Sequence, residues 1–193
     1  MKKFPIIVTQ LFILALIRLR YFRRVRTYMG TADKNIKSPI VIASNHVNRL
    51  DPFIIACFLP LKTIFKVFPY KFMTANVYYY RWWKPLAWLA GCYPAKKRYE
   101  QEDPNKYGVG RSINLLEAGY SLIMFPEGKR TTQRIEAKPG VSLILDGFKA
   151  PLLLCHIDWR RTIPINLKLA DSSINTANPD DIMKAIYSLE LEG

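Results

Sequence analysis

Short apolar runs alternate with helical segments along most of this chain, and few folds accommodate such an order. The candidate strands are Ile40–Ala43, Ile64–Val67, Cys92–Pro94, Ser121–Met124, Leu152–Ile157 and Ile163–Leu167. The candidate helices lie near Pro52–Phe58, Thr74–Leu89, Asn105–Ala118, Gly140–Leu145 and Pro179–Leu189. Elements that alternate in this way predict an α/β fold in which helices cover a mixed β-sheet.

The size and the cysteine content fit one core without a bound metal. Half of the 193 residues are hydrophobic, which is enough for a single substantial core. Cys57, Cys92 and Cys155 lie far apart in apolar surroundings and are expected to be reduced core residues. The sequence has no His/Cys cluster with zinc spacing, no Gly-rich nucleotide fingerprint and no P-loop. We therefore predict no metal and no bound cofactor, and a structural role for the isolated His156.

A histidine and an aspartate follow the first candidate strand, in the segment Asn45-His46-Val47-Asn48-Arg49-Leu50-Asp51. A carboxylate that holds one ring nitrogen of His46 leaves the other free to accept a proton from a hydroxyl. Such a pair suits acyl transfer to an alcohol. Alternatively, His46 is an ordinary loop histidine and Asp51 is the N-cap of a helix that starts near Pro52. These residues alone leave both interpretations open.

A second polar segment, Phe125-Pro126-Glu127-Gly128-Lys129-Arg130-Thr131, follows the candidate strand Ser121–Met124. Ligands of α/β proteins bind at the carboxyl ends of strands, so the two loops are expected to meet at one edge of the sheet. The second loop offers two cations, a carboxylate and a glycine that permits close backbone approach, a set that suits a phosphate. The alternative is a solvated turn with a surface Glu–Arg pair.

These two segments, in this order and roughly eighty residues apart, resemble the hallmark blocks of the glycerolipid acyltransferase family. The best-known members of that family are the 1-acylglycerol-3-phosphate acyltransferases. A third family block, an arginine after a Gly-containing strand, is similar to the segment 91–98, which ends in Arg98. The chain has Asn48 and Lys129 where members usually have Ser and Thr, which leaves the acceptor preference open. The resemblance extends from residue 40 to about residue 157.

The resemblance implies a reaction and a role for each matching residue. His46 would be the general base that activates a lysolipid hydroxyl, and Asp51 would orient and charge-stabilise it. The residues implied in substrate binding are Glu127, Gly128, Lys129, Arg130 and Arg98, with Arg130 on the acceptor phosphate. The acceptor would be 1-acylglycerol 3-phosphate or a related lysolipid, with an amino-acid lysolipid as the alternative. The donor would be the thioester of acyl-CoA or acyl carrier protein, and the product phosphatidic acid.

The N-terminus carries a second strong pattern. Phe4 to Ile17 is apolar except for Thr9 and Gln10, and as a helix this run covers about 21 Å. A bilayer core is about 30 Å thick, so an interfacial or re-entrant anchor is expected rather than a span. Five arginines follow between residues 18 and 26, and Ala15, Leu19, Phe22 and Val25 fall at helical spacing beside them. A cleaved secretory signal is disfavoured because no small-residue cleavage site follows and the arginines oppose translocation.

We therefore expect a membrane-anchoring helix over residues 1–30 and a single acyltransferase domain over residues 31–193. The predicted membrane contacts are Phe4, Leu11, Phe12, Leu14, Arg18, Arg20, Arg23, Arg24, Trp82 and Trp83. The two tryptophans belong to the aromatic segment 78–88, which is either a membrane-interface belt or a buried helix face. The expected location is monotopic or peripheral, on the cytoplasmic face of a membrane.

The net charge of +14 also suits a protein of another class, a basic nucleic-acid-binding protein. Much of this charge, however, flanks an apolar segment of the kind that contacts bilayers, and no recognition motif of a nucleic-acid-binding fold is visible. We therefore expect membrane lipids, a lysophospholipid and an acyl donor as partners, and no nucleic acid.

Overall fold

Seven strands form one sheet at the centre of the part of the chain that the structure describes. The computed structural model describes residues 3–29, 36–75, 79–82, 84–96 and 104–191. The strands are β1 (Val25–Met29), β2 (Val41–Ser44), β3 (Tyr70–Thr74), β4 (Cys92–Pro94), β5 (Ser121–Met124), β6 (Leu152–Ile157) and β7 (Ile163–Leu169). Their order in the sheet is β1-β7-β6-β2-β5-β3-β4. Neighbouring strands are parallel except for the antiparallel pair β6 and β7.

Helices cover both faces of this sheet. They are α1 (Phe4–Tyr21), α2 (Asp51–Phe58), α3 (Leu61–Val67), α4 (Lys84–Leu89), α5 (Pro104–Glu117), α6 (Gly140–Gly147) and α7 (Pro179–Ser188), followed by a 3₁₀ turn (Leu189–Leu191). The first three pack on one face, and α5, α6 and α7 on the other. Every residue of β2, β5 and β6 is buried, as expected for strands that are covered on both faces. The prediction of a mixed sheet covered by helices is confirmed.

Two of the predicted elements are wrong. The run Ile64–Val67 is the end of helix α3, and the strand that follows it, β3, was not predicted. A short apolar run does not distinguish a buried strand from one face of a short helix. The predicted helix Thr74–Leu89 starts too early, because Thr74 is the last residue of β3 and helix α4 spans only Lys84–Leu89. Residues 76–78 and Trp83 lie outside the described residues.

The N-terminal helix is shorter than predicted. Helix α1 ends at Tyr21, and Val25–Met29 pairs with β7 as an edge strand of the sheet. Val25 was assigned to the helical stripe but is a buried core residue, 5% exposed. Backbone pairing with β7 and burial of this β-branched side chain outweigh the continuing helical pattern. The expected anchoring helix over residues 1–30 is thus corrected in extent, and the division into two functional parts stays a prediction.

Helix α1 is long and apolar enough to cross a membrane by length and composition, but one of its faces packs on the domain. Ile6 is fully buried, and the buried Gln10 donates from Nε2 to the carbonyl of Tyr70 at 2.7 Å. Arg18 donates to the carbonyl of Cys57 near the end of α2, and half-buried Leu14 packs against the core. The structure therefore places Leu14 and Arg18, both predicted as membrane contacts, against the protein.

The opposite face of α1 is exposed. Its large exposed apolar side chains are Phe4, Val8, Leu11, Phe12, Leu16 and Leu19. Among the other predicted membrane contacts, Arg20, Arg23 and Arg24 are exposed, and Trp82 is 83% exposed. Tyr79, in the same aromatic segment as Trp82, is buried, so the described part of this segment has both buried and exposed rings.

Candidate active site

The two polar loops predicted from the sequence lie side by side. Strands β2 and β5 are parallel neighbours, so the loops that follow them leave the sheet at the same edge, which we call the C-terminal edge. The backbone N–H of His46 donates to Oε2 of Glu127 at 2.7 Å. The N–H of Thr131 donates to the carbonyl of His46 at 2.8 Å. The expectation that both loops meet at one edge is confirmed.

The predicted pair of His46 and Asp51 is present. Nδ1 of His46 lies 2.8 Å from Oδ2 of Asp51. Because an ionised carboxylate only accepts hydrogen bonds, Nδ1 carries the proton and Nε2 is left as the basic nitrogen. The imidazole stacks on the ring of Phe125 with a centroid distance of 4.0 Å, and 18% of the side chain is exposed. Nε2 of His46 is therefore held by packing in one orientation and has the chemistry of a general base.

Asp51 is fully buried and is hydrogen-bonded through both oxygens. Besides His46, its Oδ2 accepts the backbone N–H groups of Val47 and Asn48, at 2.7 and 2.8 Å. Its Oδ1 accepts from Nε1 of Trp159 at 2.6 Å. Four donors therefore hold this buried carboxylate in one orientation. The N-cap position of α2 belongs to Leu50, so the alternative role of Asp51 as a helix cap is not what the structure shows.

Glu127 connects the loop after β5 to two other parts of the chain. Its side chain is 1% exposed, with Oε2 on the N–H of His46 and Oε1 on the hydroxyl of Tyr187 in α7. Burial raises the pKa of Glu127, and the two hydrogen bonds oppose that rise. Its described contacts therefore hold the His46 loop in place. The direct contact with the acceptor that the resemblance implied stays a prediction.

Tyr187 lies at the site although no sequence motif predicted a functional role for it. Burial and the neighbouring carboxylate raise the pKa of its hydroxyl, so the hydroxyl stays protonated and donates to Glu127. One side of its ring faces the guanidinium of Arg134, and the buried ring of His156 meets it edge-on. Burial lowers the pKa of His156 and favours its neutral form.

Replacement of Tyr187 with phenylalanine is expected to lower the free energy of unfolding by about 1.5–3 kcal/mol at pH 7, because a buried charged carboxylate loses a donor. The pKa of Glu127 is already raised above its usual 4.5 by burial, and loss of the bond raises it further. A carboxyl group whose pKa is raised by folding contributes stability at pH values below its pKa in the unfolded chain. This stability is lost as the pH rises through its pKa in the folded protein. The deficit of the variant should therefore be larger at pH 7 than at pH 4. Urea unfolding at both pH values measures it, and equal deficits would contradict this role of the hydroxyl.

The remaining predicted residues lie in the same loop, with one exception. Gly128 has a φ of +66°, a conformation that favours glycine, and its N–H closes a turn on the carbonyl of Phe125. Lys129 and Arg130 are exposed, directly before the residue that bonds to His46. Arg98 lies outside the described residues. The loop therefore presents two cations to solvent beside His46.

The strand β6 contributes further contacts at the same edge. The side-chain amide of Asn45 donates to the carbonyl of Ile157 at 2.9 Å and accepts its N–H at 2.8 Å. These two hydrogen bonds to the end of β6 place Trp159 within reach of Asp51. The position of Trp159 just after a strand was the only hint in the sequence, and the adjacency of β2 and β6 was needed to interpret it. Among the described residues, no group of three or more His, Cys, Asp or Glu could hold a metal ion.

The comparisons with known proteins agree with this geometry. A family model described as Acyltransferase matches residues 21–153. The fold is similar to the crystal structure of the 1-acyl-sn-glycerophosphate (LPA) acyltransferase, PlsC, from Thermotoga maritima, with a TM-score of 0.66 and 14% sequence identity. That match covers 95% of this chain and 80% of the Thermotoga chain. The family model includes the loops that carry His46, Asp51 and Glu127, and it spans well over half of the residues, so the chain belongs to the acyltransferase family.

Proposed function

We propose that this acyltransferase moves a fatty acyl group from a thioester to the free hydroxyl of 1-acylglycerol 3-phosphate or a related lysolipid, forming phosphatidic acid. The observation that carries the proposal is the buried Asp51 carboxylate on Nδ1 of His46, which leaves Nε2 basic beside a cationic loop. The donor is acyl-CoA or an acyl carrier protein, without a bound cofactor.

The reaction follows from the position of His46. Nε2 takes the proton of the acceptor hydroxyl as its oxygen attacks the thioester carbonyl carbon. The C–S bond then breaks, and the proton on Nε2 passes to the departing sulfur. Asp51 stabilises the imidazolium that exists between these proton transfers, because its charge lies 2.8 Å from Nδ1. No covalent enzyme intermediate is required.

The choice of a phosphate-bearing acceptor is supported by the two exposed cations, Lys129 and Arg130, beside His46. The similar Thermotoga protein is named for this acceptor. An amino-acid lysolipid is the second candidate, because Asn48 and Lys129 differ from the residues usual in the family. A nucleic-acid-binding function is not proposed, since His46 paired with the buried Asp51 would have no role in binding nucleic acid.

One experiment tests the reaction and the acceptor together. Purified protein in detergent is incubated with a panel of lysolipids and with both thioester donors, and the products are identified by mass spectrometry. Acylated 1-acylglycerol 3-phosphate is the expected product. Acylation of a different lysolipid alone would reassign the acceptor, and no acylation of any panel member with either donor would contradict the proposed reaction.

Replacement of Arg130 with alanine is expected to raise the KM for a phosphate-bearing acceptor by about ten- to a hundred-fold, because a charge-assisted hydrogen bond is lost. The KM for the donor should change little. Initial rates at varied acceptor and donor concentrations separate the two, and Lys149→Ala, also an exposed cation, is the matched control. A rise in only the donor KM would assign this loop to the phosphates of the donor.

We also propose that the protein is a monotopic or peripheral enzyme of the cytoplasmic face, held to the membrane by the exposed face of α1. Deletion of residues 4–26 is a poor test, because it removes Ile6, Gln10 and Val25 from the packed domain. Leu11→Ser with Phe12→Ser alters only exposed side chains of the same helix. This variant should bind vesicles more weakly and retain activity on a short-chain acceptor in solution.

A further inference from the structure

Two turns that are far apart in the sequence meet at the C-terminal edge of the sheet. The turn between α1 and β1 lies beside the turn between β6 and β7, because β1 starts where β7 starts. Nε of Arg24 donates to the carbonyl of Arg161 at 3.3 Å, and Nη2 donates to the carbonyl of Arg160 at 3.2 Å. The N–H of Ile163 donates to the carbonyl of Arg24 at 2.7 Å. The two turns are thus held together by backbone carbonyls and one guanidinium.

This junction concentrates positive charge. Five exposed arginines, which we call the arginine cluster, surround it: Arg20, Arg23, Arg24, Arg160 and Arg161. Among the described residues, the carboxylate recorded in contact with the cluster is that of Asp158, on Nε of Arg160. The side chain of Arg160 is nevertheless 71% exposed. One carboxylate against five guanidinium groups leaves a strongly cationic surface that can take anions.

The arginine cluster is continuous with both apolar surface and the catalytic pair. Leu19 and Phe22, next to its N-terminal arginines, are 73% and 53% exposed. Behind it, the ring of Tyr21 meets that of Trp159 edge-on, with a centroid distance of 6.2 Å. Trp159 in turn donates to Asp51, the partner of His46. Cationic and exposed apolar side chains therefore occur together on the side of the domain where His46 lies.

We propose that the arginine cluster docks this edge of the sheet on an anionic phospholipid surface, with Leu19 and Phe22 entering the interface. The inference rests on the proposed function, in which a membrane lipid is the acceptor. Guanidinium groups can bind the phosphates of several headgroups, and apolar side chains beside them can bury among the acyl chains. In this orientation His46 faces the bilayer, so a lysolipid reaches the general base without leaving the membrane.

An acidic carrier protein is the competing partner for a cationic surface. The adjacency of two exposed apolar residues favours the bilayer, because a lipid surface offers phosphates and hydrocarbon side by side. The N-terminal helix supports the same choice, since its exposed apolar face leads along the chain into the cluster.

The test is vesicle binding by the full-length chain carrying Arg160→Gln and Arg161→Gln. These changes leave the carbonyls that bind Arg24 in place, because those contacts are to backbone. The matched control carries Lys149→Gln and Lys168→Gln, which remove the same charge from exposed positions near the start of β6 and the end of β7, away from the C-terminal edge. Flotation with phosphatidylcholine vesicles, with and without phosphatidylglycerol, measures binding without turnover. Thermal unfolding verifies that both variants are folded.

The arginine variant should bind anionic vesicles about 30-fold more weakly, at about five-fold per basic residue. The control variant should bind as the unaltered protein does, and Arg160→Lys with Arg161→Lys should restore most of the binding. Unchanged binding of the arginine variant to anionic vesicles would overturn the proposal. So would a raised KM for acyl-CoA or acyl carrier protein with vesicle binding intact, which would assign the cluster to the donor. Because binding is measured without catalysis, an inactive enzyme would refute the proposed function and leave this result interpretable.

Discussion

Replacement of His46 with alanine is expected to lower kcat by about two to four orders of magnitude, the usual cost of losing a general base. The fold should survive, because Asp51 keeps three donors from Val47, Asn48 and Trp159 after the imidazole is removed. Single-turnover rates with a saturating donor would measure the effect on the chemical step. Vesicle binding should be unchanged, since His46 lies outside both α1 and the arginine cluster.

A second variant makes this prediction more specific. If His46 and Asp51 act as one unit, His46→Ala combined with Asp51→Asn should lose little more activity than His46→Ala alone. Turnover close to that of the unaltered enzyme in folded His46→Ala would refute the proposed mechanism. Additive losses in the double variant would instead give Asp51 a role that is independent of the imidazole.

Replacement of Asp51 with asparagine is also expected to lower kcat by about two to four orders of magnitude, because an amide cannot stabilise the imidazolium by charge. If Asp51 were a helix N-cap, this change would cost little stability, because asparagine caps a helix about as well as aspartate. The structure indicates otherwise. Donors approach both carboxylate oxygens, and an amide must turn its NH2 group toward one set of them. We expect a loss of about 1–3 kcal/mol in the free energy of unfolding.

Trp159→Phe is the matched control for Asp51→Asn. It removes the donor from Oδ1 and keeps the carboxylate charge beside His46. Stability should therefore fall in both variants, while kcat should fall by orders of magnitude in Asp51→Asn only. Folded Asp51→Asn with kcat within ten-fold of the unaltered enzyme would remove Asp51 from the mechanism. Rates and urea unfolding measured on the same preparations separate the two effects.

Strand β4, which lies at an edge of the sheet, has the predicted bounds, and so do two strands that are buried along their whole length. The bounds of β5 and β6 agree with the prediction, because a fully buried strand is a continuous apolar run. Strand β3 was missed because Lys71 interrupts its apolar run. The burial of Lys71 between the rings of Trp88 and Tyr120 is a tertiary arrangement that the local sequence does not predict. The edge strand β1 was taken for helix for a related reason, since its half-exposed pattern is fixed by pairing with β7.

The residues of the site also differ in how far the sequence predicted their contacts. The spacing of His46 and Asp51 within one loop allowed their contact, but the residues alone left it open, and the resemblance to the family favoured it. The meeting of this loop with Glu127 followed from both loops leaving parallel strands at the same edge. Lys129 and Arg130 were found by their position in a family motif, and their contacts with lipid stay predictions.

The sequence by itself determined the alternating fold and the apolar N-terminal helix, because both depend on local pattern, and it placed His46 and Asp51 close enough in one loop to form a pair. Tertiary structure decided which side chains hold the site carboxylates. Trp159 and Tyr187 lie 108 and 60 residues from the carboxylates they bind, and contacts of that range depend on strand order and helix packing. The pairing of β1 with β7 likewise brought two distant arginine turns together. Backbone hydrogen bonds between these two strands determine their pairing, and no local pattern in either turn predicts it.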